Sequence, residues 1–546
     1  MPARRTSKKS ATSGRGRGAK ALAKKSTSSR VRSARAAGAK RAVVKRTVTS
    51  AVRRSAAKKA AKAAIKASGT ASASVLVVNM IPRSLSGEIN QDSEPTLAVN
   101  PANPNQIVGT AFTPNPAGGQ TAPVFVSNDG GKTWTLNAIV PSGVNPFFGS
   151  ATGDITVSFG TSSNKLYAGI LQDTSDPNDL PMNILGTDNV ASPNLMKKLL
   201  TREGPDQPYT QAATISAGPN AGNDVLYIGS NMADGSTTQT STLDFSLNAS
   251  SSSPTFKRVI LEPRSTGSAG QDGPQVRPAA HSDGTVYAAY TGWRASKGNF
   301  RANTLVITAD VVVVRDDNWG NGSKPFTALV DPVDHLSGIR VVQGIKFPFH
   351  SSGRGVPGQN RLGGDVSIAV DPTDSKTVYL AYAEGELVDN YTLHLRVSRD
   401  KGRTWSTDLL TVRRATNPAL AVNGDGKFGF LYQQLVGTGS ALRWETHLRR
   451  MPKAGGAFSD LTLNVARADF PVRQGDPYLG DYVHLQAVGK DFYGIFSANN
   501  TPAKSNFPND VVYQRNANFT SRKLLDLSGT NEVAVSIDPF FFKITE

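Results

Sequence analysis

The chain has no cysteine among its 546 residues and only six histidines. Without thiols it can form no disulfides, thiolate metal sites or cysteine nucleophiles, and the histidines do not pair at metal-ligand spacing. No segment reaches the roughly 18 apolar residues of a membrane helix, because the longest β-branched run, Thr304 to Val314, contains Asp310. We therefore expect a soluble protein with no metal, no cofactor and no membrane span.

Acidic residues are missing from the first part of the chain. Residues 1–70 hold 22 Lys and Arg but no Asp, Glu or aromatic residue, and the first acid is Glu88. The other 39 basic residues face 42 acids, so the net charge of +19 comes from this tail and the remainder carries −3. Such a composition buries too little apolar surface to offset its ordering entropy, which predicts a disordered tail over residues 1–73.

Two roles for the tail stay open. One is electrostatic contact of residues 1–70 with nucleic acid or another polyanion. The other is a targeting or solubilising extension. No secretory signal is evident, but an acid-free start rich in Arg and Ser is also typical of organelle transit peptides, so the compartment stays unknown.

From Ser74 onward the sequence alternates short apolar runs with Gly, Pro, Asn and Asp, which indicates an all-β fold. Only Asn194 to Leu200 has a helix-like period. Seven related units begin near residues 94, 154, 206, 272, 365, 417 and 481. Each starts with an acid or amide, continues into an apolar strand and a polar turn, and ends in a second strand.

Units of this length hold about four strands, the size of a β-propeller blade. The sequence predicts one propeller over residues 74–546, with seven blades by repeat count. A six-bladed ring and a pair of β-sandwich domains are the alternatives. Val75 to Asn79 and Glu532 to Ile537 are predicted to close the ring by sharing a blade.

Two turns share the pattern S-x-D-x-G-x-T-W: Ser127 to Trp134 and Ser398 to Trp405. In such a turn Asp accepts hydrogen bonds from backbone N–H groups, and Trp packs between sheets. Gly adopts a backbone conformation that other residues rarely adopt. The pattern resembles the Asp box, or BNR repeat, of the sialidase-like β-propeller superfamily. The resemblance implies structural roles for Asp129, Trp134, Asp400 and Trp405. Box-bearing propellers include hydrolases, lectins, receptors and assembly factors, so it implies no single activity.

A sialidase-type site would need three Arg that grip a carboxylate, a Tyr nucleophile activated by Glu, and an Asp acid/base. The family's first Arg lies in an F/Y-R-I-P motif, whereas this chain has Met80-Ile81-Pro82-Arg83, in the wrong order. This departure favours a non-catalytic protein. Residues that precede the innermost strands are expected to surround the central funnel, and the acids in such places are Glu94, Asp154, Asp206, Asp272, Asp365, Asp476 and Asp481.

Tyr478 and Tyr482 lie close to these acids in the last unit. We predict Tyr482 as nucleophile, with Tyr478 as its alternative, and Asp272 as acid/base. The predicted substrate-binding residues are Arg277, Arg361, Arg473, Asp365 and Tyr478. Alternatively, each acid only caps its own turn. The sequence thus favours a glycan-binding or glycan-hydrolysing propeller, of exo-α-sialidase type if it is an enzyme. The competing hypothesis is a non-catalytic binding or scaffold propeller attached to a polyanion or partner through its basic tail.

Overall fold

The computed structural model describes residues 73–114, 121–141, 151–161, 163–171, 181–203, 206–218, 220–231, 240–264, 276–350, 357–358, 363–471 and 478–546. Their regular structure is β-strand, apart from the short 3-10 helices Arg83–Leu85, Gly439–Ala441 and Lys504–Asn506. In these ranges no helix is long and apolar enough to cross a membrane.

Six consecutive stretches of the chain each form an antiparallel sheet, here called blades 1 to 6, in which the first strand is innermost and the last outermost. Blade 1 consists of Ser93–Val99, Ile107–Pro114, Thr121–Ser127 and Thr135–Pro141, and Ala151–Thr152 pairs with its second strand. Blade 2 consists of Ile155–Phe159, Leu166–Leu171, Met182–Thr187 and Lys197–Arg202. Blade 3 consists of Tyr209–Thr214, Asp224–Ser230, Thr242–Ser246 and Lys257–Ile260.

Blade 4 consists of Arg277–Ala280, Val286–Lys297, Val306–Asp316 and Ile339–Pro348. Blade 5 consists of Val366–Asp371, Asp374–Glu384, Thr392–Ser398 and Leu410–Arg413. Blade 6 consists of Ala415–Val422, Phe428–Val436, Arg443–Met451 and Ser459–Arg467.

Blade 7 joins the two ends of the described chain. Its strands, from the inside outward, are His484–Val488, Asp491–Asn499, Ile537–Thr545 and Ser74–Asn79, with Val512–Tyr513 added in parallel at the edge. The N-terminal strand pairs as predicted with a C-terminal one. The predicted partner, Glu532 to Ile537, was wrong: Glu532–Val533 pairs with Lys523–Leu525, in a small sheet completed by Ala517–Asn518. The apolar run Phe540 to Phe542 supplies the buried residues that a central strand of the blade requires.

Alternating side chains bury both faces of each blade. In the second strand of blade 5, Val378, Leu380 and Tyr382 pack towards blade 4, while Tyr379 and Ala381 pack towards blade 6. The period of two in a strand makes this possible, because successive side chains point to opposite faces.

A buried apolar cluster joins every pair of neighbouring blades, including blades 7 and 1. Members from each pair, beginning with blades 7 and 1, are Ile495 and Leu97, Val124 and Val157, Ile184 and Leu226, Tyr227 and Val312, Ile307 and Leu380, Tyr379 and Phe430, and Leu448 and Phe492. Seven blades with seven interfaces form a closed ring within the described ranges. This confirms the seven-bladed propeller and excludes the six-bladed ring and the paired sandwiches.

The one segment of the body with a helix-like period is a strand. The helix-like period at Asn194 to Leu200 belongs to the strand Lys197–Arg202, the outermost strand of blade 2. Leu199 and Leu200 both pack partly against the cluster between blades 2 and 3, across a register shift in the strand pairing. Because of this bulge, two successive leucines can both contact the core, and their spacing in the sequence resembles that of a helix. The predicted disordered tail lies outside the described residues.

Candidate functional site

All seven blades contribute a polar or aromatic side chain where their innermost strands begin. We call this set the ring mouth. Its members are Glu94, Asp154, Tyr209, Arg277, Asp365, Asn417, Tyr478, Asp481 and Tyr482. The sequence predicts seven of the nine to lie near the funnel, but not Tyr209 and Asn417.

A tyrosine–carboxylate pair connects the first and last blades. The Tyr478 hydroxyl donates a hydrogen bond to Oε1 of Glu94, a residue 384 positions earlier in the chain. The same oxygen accepts the backbone N–H of Asp481 at 3.3 Å. Two donors therefore hold the Glu94 carboxylate towards the last blade.

A second pair lies beside the first. The Tyr482 hydroxyl donates to Oδ1 of Asp154 at 3.3 Å. Burial raises the pKa of Tyr482 well above its usual value, and the negative charges of Asp154 and Glu94 raise it further, against the opposing effect of Arg277. Tyr482 therefore stays protonated and serves as a hydrogen-bond donor.

Arg277 places a positive charge between these groups. Its guanidinium lies 4.2 Å from the centroid of the Tyr209 ring and 5.8 Å from that of Tyr482. The residue is only 5% exposed. Burial lowers the Arg277 pKa, while Tyr209, Asp365, Tyr482 and Asp154 act in the opposite direction. The aromatic faces and nearby carboxylates thus stabilise a buried cation.

Asp365 connects blades 5 and 6. Its Oδ2 accepts Oγ1 of Thr416 at 3.0 Å and the backbone N–H of Asn417 at 3.1 Å. The side-chain nitrogen of Asn417, Nδ2, in turn donates to Oε1 of Gln433 at 3.0 Å and to the Gly480 carbonyl at 3.1 Å. These bonds reach the next blade, so Asp365 does more than cap its own turn.

Three blades share an unusual backbone conformation near the start of their innermost strands. Glu94, Gln207 and Asn417 have φ values of 51°, 55° and 56°, and each precedes a proline. A non-glycine residue in the left-handed region is strained, and such strain is concentrated at functional sites. An acid or amide followed by Pro recurs at these three unit starts, and this sequence pattern could have identified Asn417.

Gln207 and Asn231 lie together at the start of blade 3. The backbone N–H of Asp206 donates to Oδ1 of Asn231, and that of Gln207 donates to Oδ1 of Asp206, both at 2.8 Å. Oε1 of Gln207 and Nδ2 of Asn231 are buried without a hydrogen-bond partner among the described residues. Blade 3 therefore offers one free acceptor and one free donor.

A channel runs along the innermost strands below the ring mouth. Its cavity has a volume of about 450 Å³, and Tyr209 and Arg277 line both this channel and a cavity of about 10 Å³ at the mouth. His484 also lines the channel, where its Nδ1 accepts the backbone N–H of Leu97 at 3.0 Å. Burial lowers the pKa of His484 to about 4, so its imidazole is neutral at pH 7.

The two S-x-D-x-G-x-T-W turns have matching hydrogen bonds and lie away from the ring mouth, between the third and fourth strands of blades 1 and 5. In the first, Oδ1 of Asp129 accepts the Thr133 N–H at 2.9 Å, and the Trp134 indole donates to the Gly131 carbonyl at 3.0 Å. In the second, Asp400 accepts the Thr404 N–H at 2.9 Å, and the Trp405 indole donates to Gly402 at 3.1 Å.

Four predicted site residues, Asp272, Arg361, Arg473 and Asp476, lie outside the described residues. Among the described ones, Arg277, Asp365, Tyr478 and Tyr482 come together at the ring mouth. Their roles, and the three-arginine clamp, stay predictions.

Comparison of the chain with protein-family models and with curated proteins finds no match. Solved structures with a similar fold include an α-L-arabinofuranosidase from Fusarium graminearum bound to an iminosugar inhibitor, at 11% identity and a TM-score of 0.37 over 85% of this chain and 97% of that one. A Trypanosoma rangeli sialidase in complex with the inhibitor DANA gives 13% identity and a TM-score of 0.31 over 83% of this chain and 55% of that one. An ulvan lyase bound to a glucuronate–rhamnose sulfate chain gives 10% identity and 0.43 over 75% and 92%. At these values the likeness indicates nothing about activity.

Proposed function

We propose that the ring mouth binds the terminal sugar of a glycan and hydrolyses its glycosidic bond. The observation that carries this proposal is the hydrogen bond from the Tyr478 hydroxyl to Glu94, beside the one from Tyr482 to Asp154. A phenol whose proton points at a carboxylate has its general base in place.

Of the two tyrosines, we propose Tyr478 as the nucleophile. The environment of Tyr482 keeps its proton on, because burial and two carboxylates raise its pKa. In the proposed reaction Glu94 takes the phenolic proton as the Tyr478 oxygen attacks the anomeric carbon. The glycosidic bond breaks, and the departing oxygen receives a proton from the predicted acid, Asp272. Water then attacks the anomeric carbon of the tyrosyl–sugar intermediate: the Asp272 carboxylate takes a proton from the water, and the departing Tyr478 oxygen recovers its proton from Glu94.

The charge balance of the ring mouth bears on the kind of sugar. Its described residues include four carboxylates, those of Glu94, Asp154, Asp365 and Asp481, and one guanidinium, that of Arg277. Carboxylates accept hydrogen bonds from sugar hydroxyls but repel a sugar carboxylate. The free polar atoms of Gln207 and Asn231 add neutral hydrogen-bonding groups. We therefore expect a neutral sugar to be preferred, while the sialoside expected from the family resemblance requires Arg361 and Arg473 as well.

The test is hydrolysis of fluorogenic glycosides by the full chain, with neutral pentosides, neutral hexosides and a sialoside in one panel. We expect turnover of a neutral glycoside, and a kcat lowered about 10²- to 10⁴-fold by Tyr478→Phe and by Glu94→Gln. Tyr379→Phe, a tyrosine change in the core between blades 5 and 6, is the matched control and should keep parental activity. A 2-fluoro analogue of the substrate should add one sugar mass to the parent but not to Tyr478→Phe.

The non-catalytic hypothesis is supported by the same hydrogen bonds, since Glu94, Asp154 and Asp365 already accept protein donors. Glycan binding by the folded parent without turnover of any glycoside would establish this second function. Absence of both binding and turnover would contradict both proposals.

A further inference from the structure

Three carboxylates meet where the two ends of the described chain come together. Glu88 and Asp92 lie in the segment between Ser74–Asn79 and Ser93–Val99, and Asp538 lies in the closing strand Ile537–Thr545. One oxygen from each of the three lies within 4.8 Å of the others. We call this set the closure carboxylates.

Asp538 is fixed by protein donors. Its Oδ2 accepts Nδ2 of Asn79 at 2.7 Å and a nitrogen of Arg515 at 2.9 Å, and its Oδ1 accepts Nδ2 of Asn500 at 2.7 Å. Arg515 also donates to the backbone carbonyl of Glu88 at 2.6 Å. The position of the cluster is therefore set by rigid contacts.

If all three were ionised, the closure carboxylates would carry more negative charge than the described residues around them neutralise. Among those residues Arg515 is the cation paired with them, and the side chains of Arg515 and Asp538 are both fully buried. With all three carboxyl groups ionised, one guanidinium leaves a net charge of about −2 in an environment of low dielectric constant, which is strongly unfavourable. Either protons or a divalent cation must supply the missing positive charge.

Two oxygens of the cluster lack the partners that buried oxygens normally have. Asp92 is 1% exposed, and its Oδ1 has no hydrogen-bond partner among the described residues. Oε2 of Glu88 is buried and likewise unpaired within those residues. Glu88 and Asp92, together with Thr113 but not Asp538, line a cavity of about 10 Å³, which has room for one water-sized body. Buried carboxylate oxygens beside a space of that size point to a bound ion.

We propose that Glu88, Asp92 and Asp538 bind a divalent cation, with Ca²⁺ as the best fit. Ca²⁺ accepts carboxylate oxygens in flexible geometry, whereas Mg²⁺ requires near-ideal octahedral geometry and gives up its bound waters reluctantly. The ion balances the net charge and gives the free oxygens of Glu88 and Asp92 a partner.

The ion has a definite structural consequence. It joins the segment that leads into blade 1 to the closing strand of blade 7. The ion thus stabilises the contact between the first and last blades, where the ring is closed by non-covalent contacts. Asp92 also lies two residues before Glu94 of the ring mouth. Cation binding therefore positions the start of the innermost strand of blade 1.

The test is calorimetric titration of chelator-treated full chain with CaCl₂, paired with thermal unfolding in CaCl₂ and in MgCl₂. It is done at about pH 8.5, because protons compete with metal for carboxylates. We expect one strong site and a rise in Tm of about 3 °C at a hundredfold excess of Ca²⁺ over its Kd. Mg²⁺ should give a smaller rise.

The variants separate this site from other carboxylates. Asp92→Asn should remove the heat signal and the Tm rise, while Asp188→Asn, at a side chain that is 85% exposed, should keep both. Asp154→Asn should also keep both, which distinguishes the closure carboxylates from the ring mouth. If Asp92→Asn does not fold, Glu88→Gln is used in its place. No Ca²⁺-dependent rise in the parent, or an equal rise in the parent and the folded variant, overturns the proposal.

Discussion

Trp134 and Trp405 occupy the same position in two turns with matching hydrogen bonds, yet they are buried to different depths. Trp134 is 2% exposed and packs against Phe541, with ring centroids 5.2 Å apart, in the cluster between blades 7 and 1. Trp405 is half-buried at the edge of the cluster between blades 4 and 5. The turn sets the indole direction, and the neighbouring blade decides how much of the indole it covers.

Replacement of these residues should therefore have unequal effects. We expect Trp134→Ala to lower the free energy of unfolding by about 3–5 kcal/mol and Trp405→Ala by about half as much, since less apolar surface is lost. Urea unfolding of the two variants and the parent measures this. Equal losses would show that the turn, and not the packing, sets the contribution.

His484 gives the stability a pH dependence. Its pKa is about 4 in the folded chain, against about 6.5 in the unfolded chain, so between these values the unfolded state binds more protons. The stability is complete above about pH 6.5 and falls as the pH drops towards 4, by up to about 3 kcal/mol. The neighbouring groups are Arg277 and the Tyr209 ring, whose centroid lies 6.0 Å away, and Arg277 also disfavours protonation.

The measurement compares urea unfolding at about pH 7 and about pH 4.5 in the parent and in His484→Gln, which keeps an acceptor for Leu97 N–H but does not titrate. The parent should lose more stability on acidification than the variant. An identical loss in both would rule out His484 as the source.

At the scale of single elements, the closing strand joins parts of the chain that are far apart in sequence. Ile537–Thr545 lies between Asp491–Asn499 and Ser74–Asn79 and pairs with both along most of its length. Its residues from Phe540 to Phe542 are fully buried and belong to the clusters on both faces of blade 7. Without this strand the N-terminal strand has no antiparallel partner in the described chain.

Truncation after Ser536 should therefore prevent cooperative folding, while removal of residues 1–72 should leave the melting transition unchanged. Differential scanning calorimetry of the two shortened chains tests this. A sharp parental transition in the chain that ends at Ser536 would contradict the assigned role of the closing strand.

At the scale of the whole molecule, charge is divided between two regions of sequence. Residues 1–70 hold 22 basic residues and no acid, and the remainder is close to neutral. Without aromatic residues the tail has nothing to stack on bases, so attraction to phosphates or sulfates is the only binding term it offers.

We predict that the full chain binds DNA, RNA and heparin with little sequence preference and a steep salt dependence, and that a chain starting at Ser74 does not. Fluorescence anisotropy across a series of salt concentrations measures both. Binding that persists at high salt, or that remains without the tail, would refute the prediction.

Local pattern was sufficient to predict the fold. The alternation of apolar residues, the polar turns and the seven unit starts predicted a seven-bladed ring, because strand period and turn chemistry depend on near neighbours in the chain. The two S-x-D-x-G-x-T-W turns are local in the same sense, since each Asp accepts hydrogen bonds from residues at most four positions away.

The pairings at the sites could be decided only by tertiary structure. Glu94 and Tyr478 are 384 residues apart, and Asp92 and Asp538 are further apart still, so no spacing in the sequence relates them. The same holds for the closing strand, which was predicted at Glu532 to Ile537 and lies at Ile537–Thr545. Ring closure brings the first and last blades together, and the resulting burial sets the pKa of His484 and of Tyr482 and leaves the closure carboxylates short of positive charge. Burial and charge balance are properties of the closed ring, and they arise only when residues distant in sequence exclude water together.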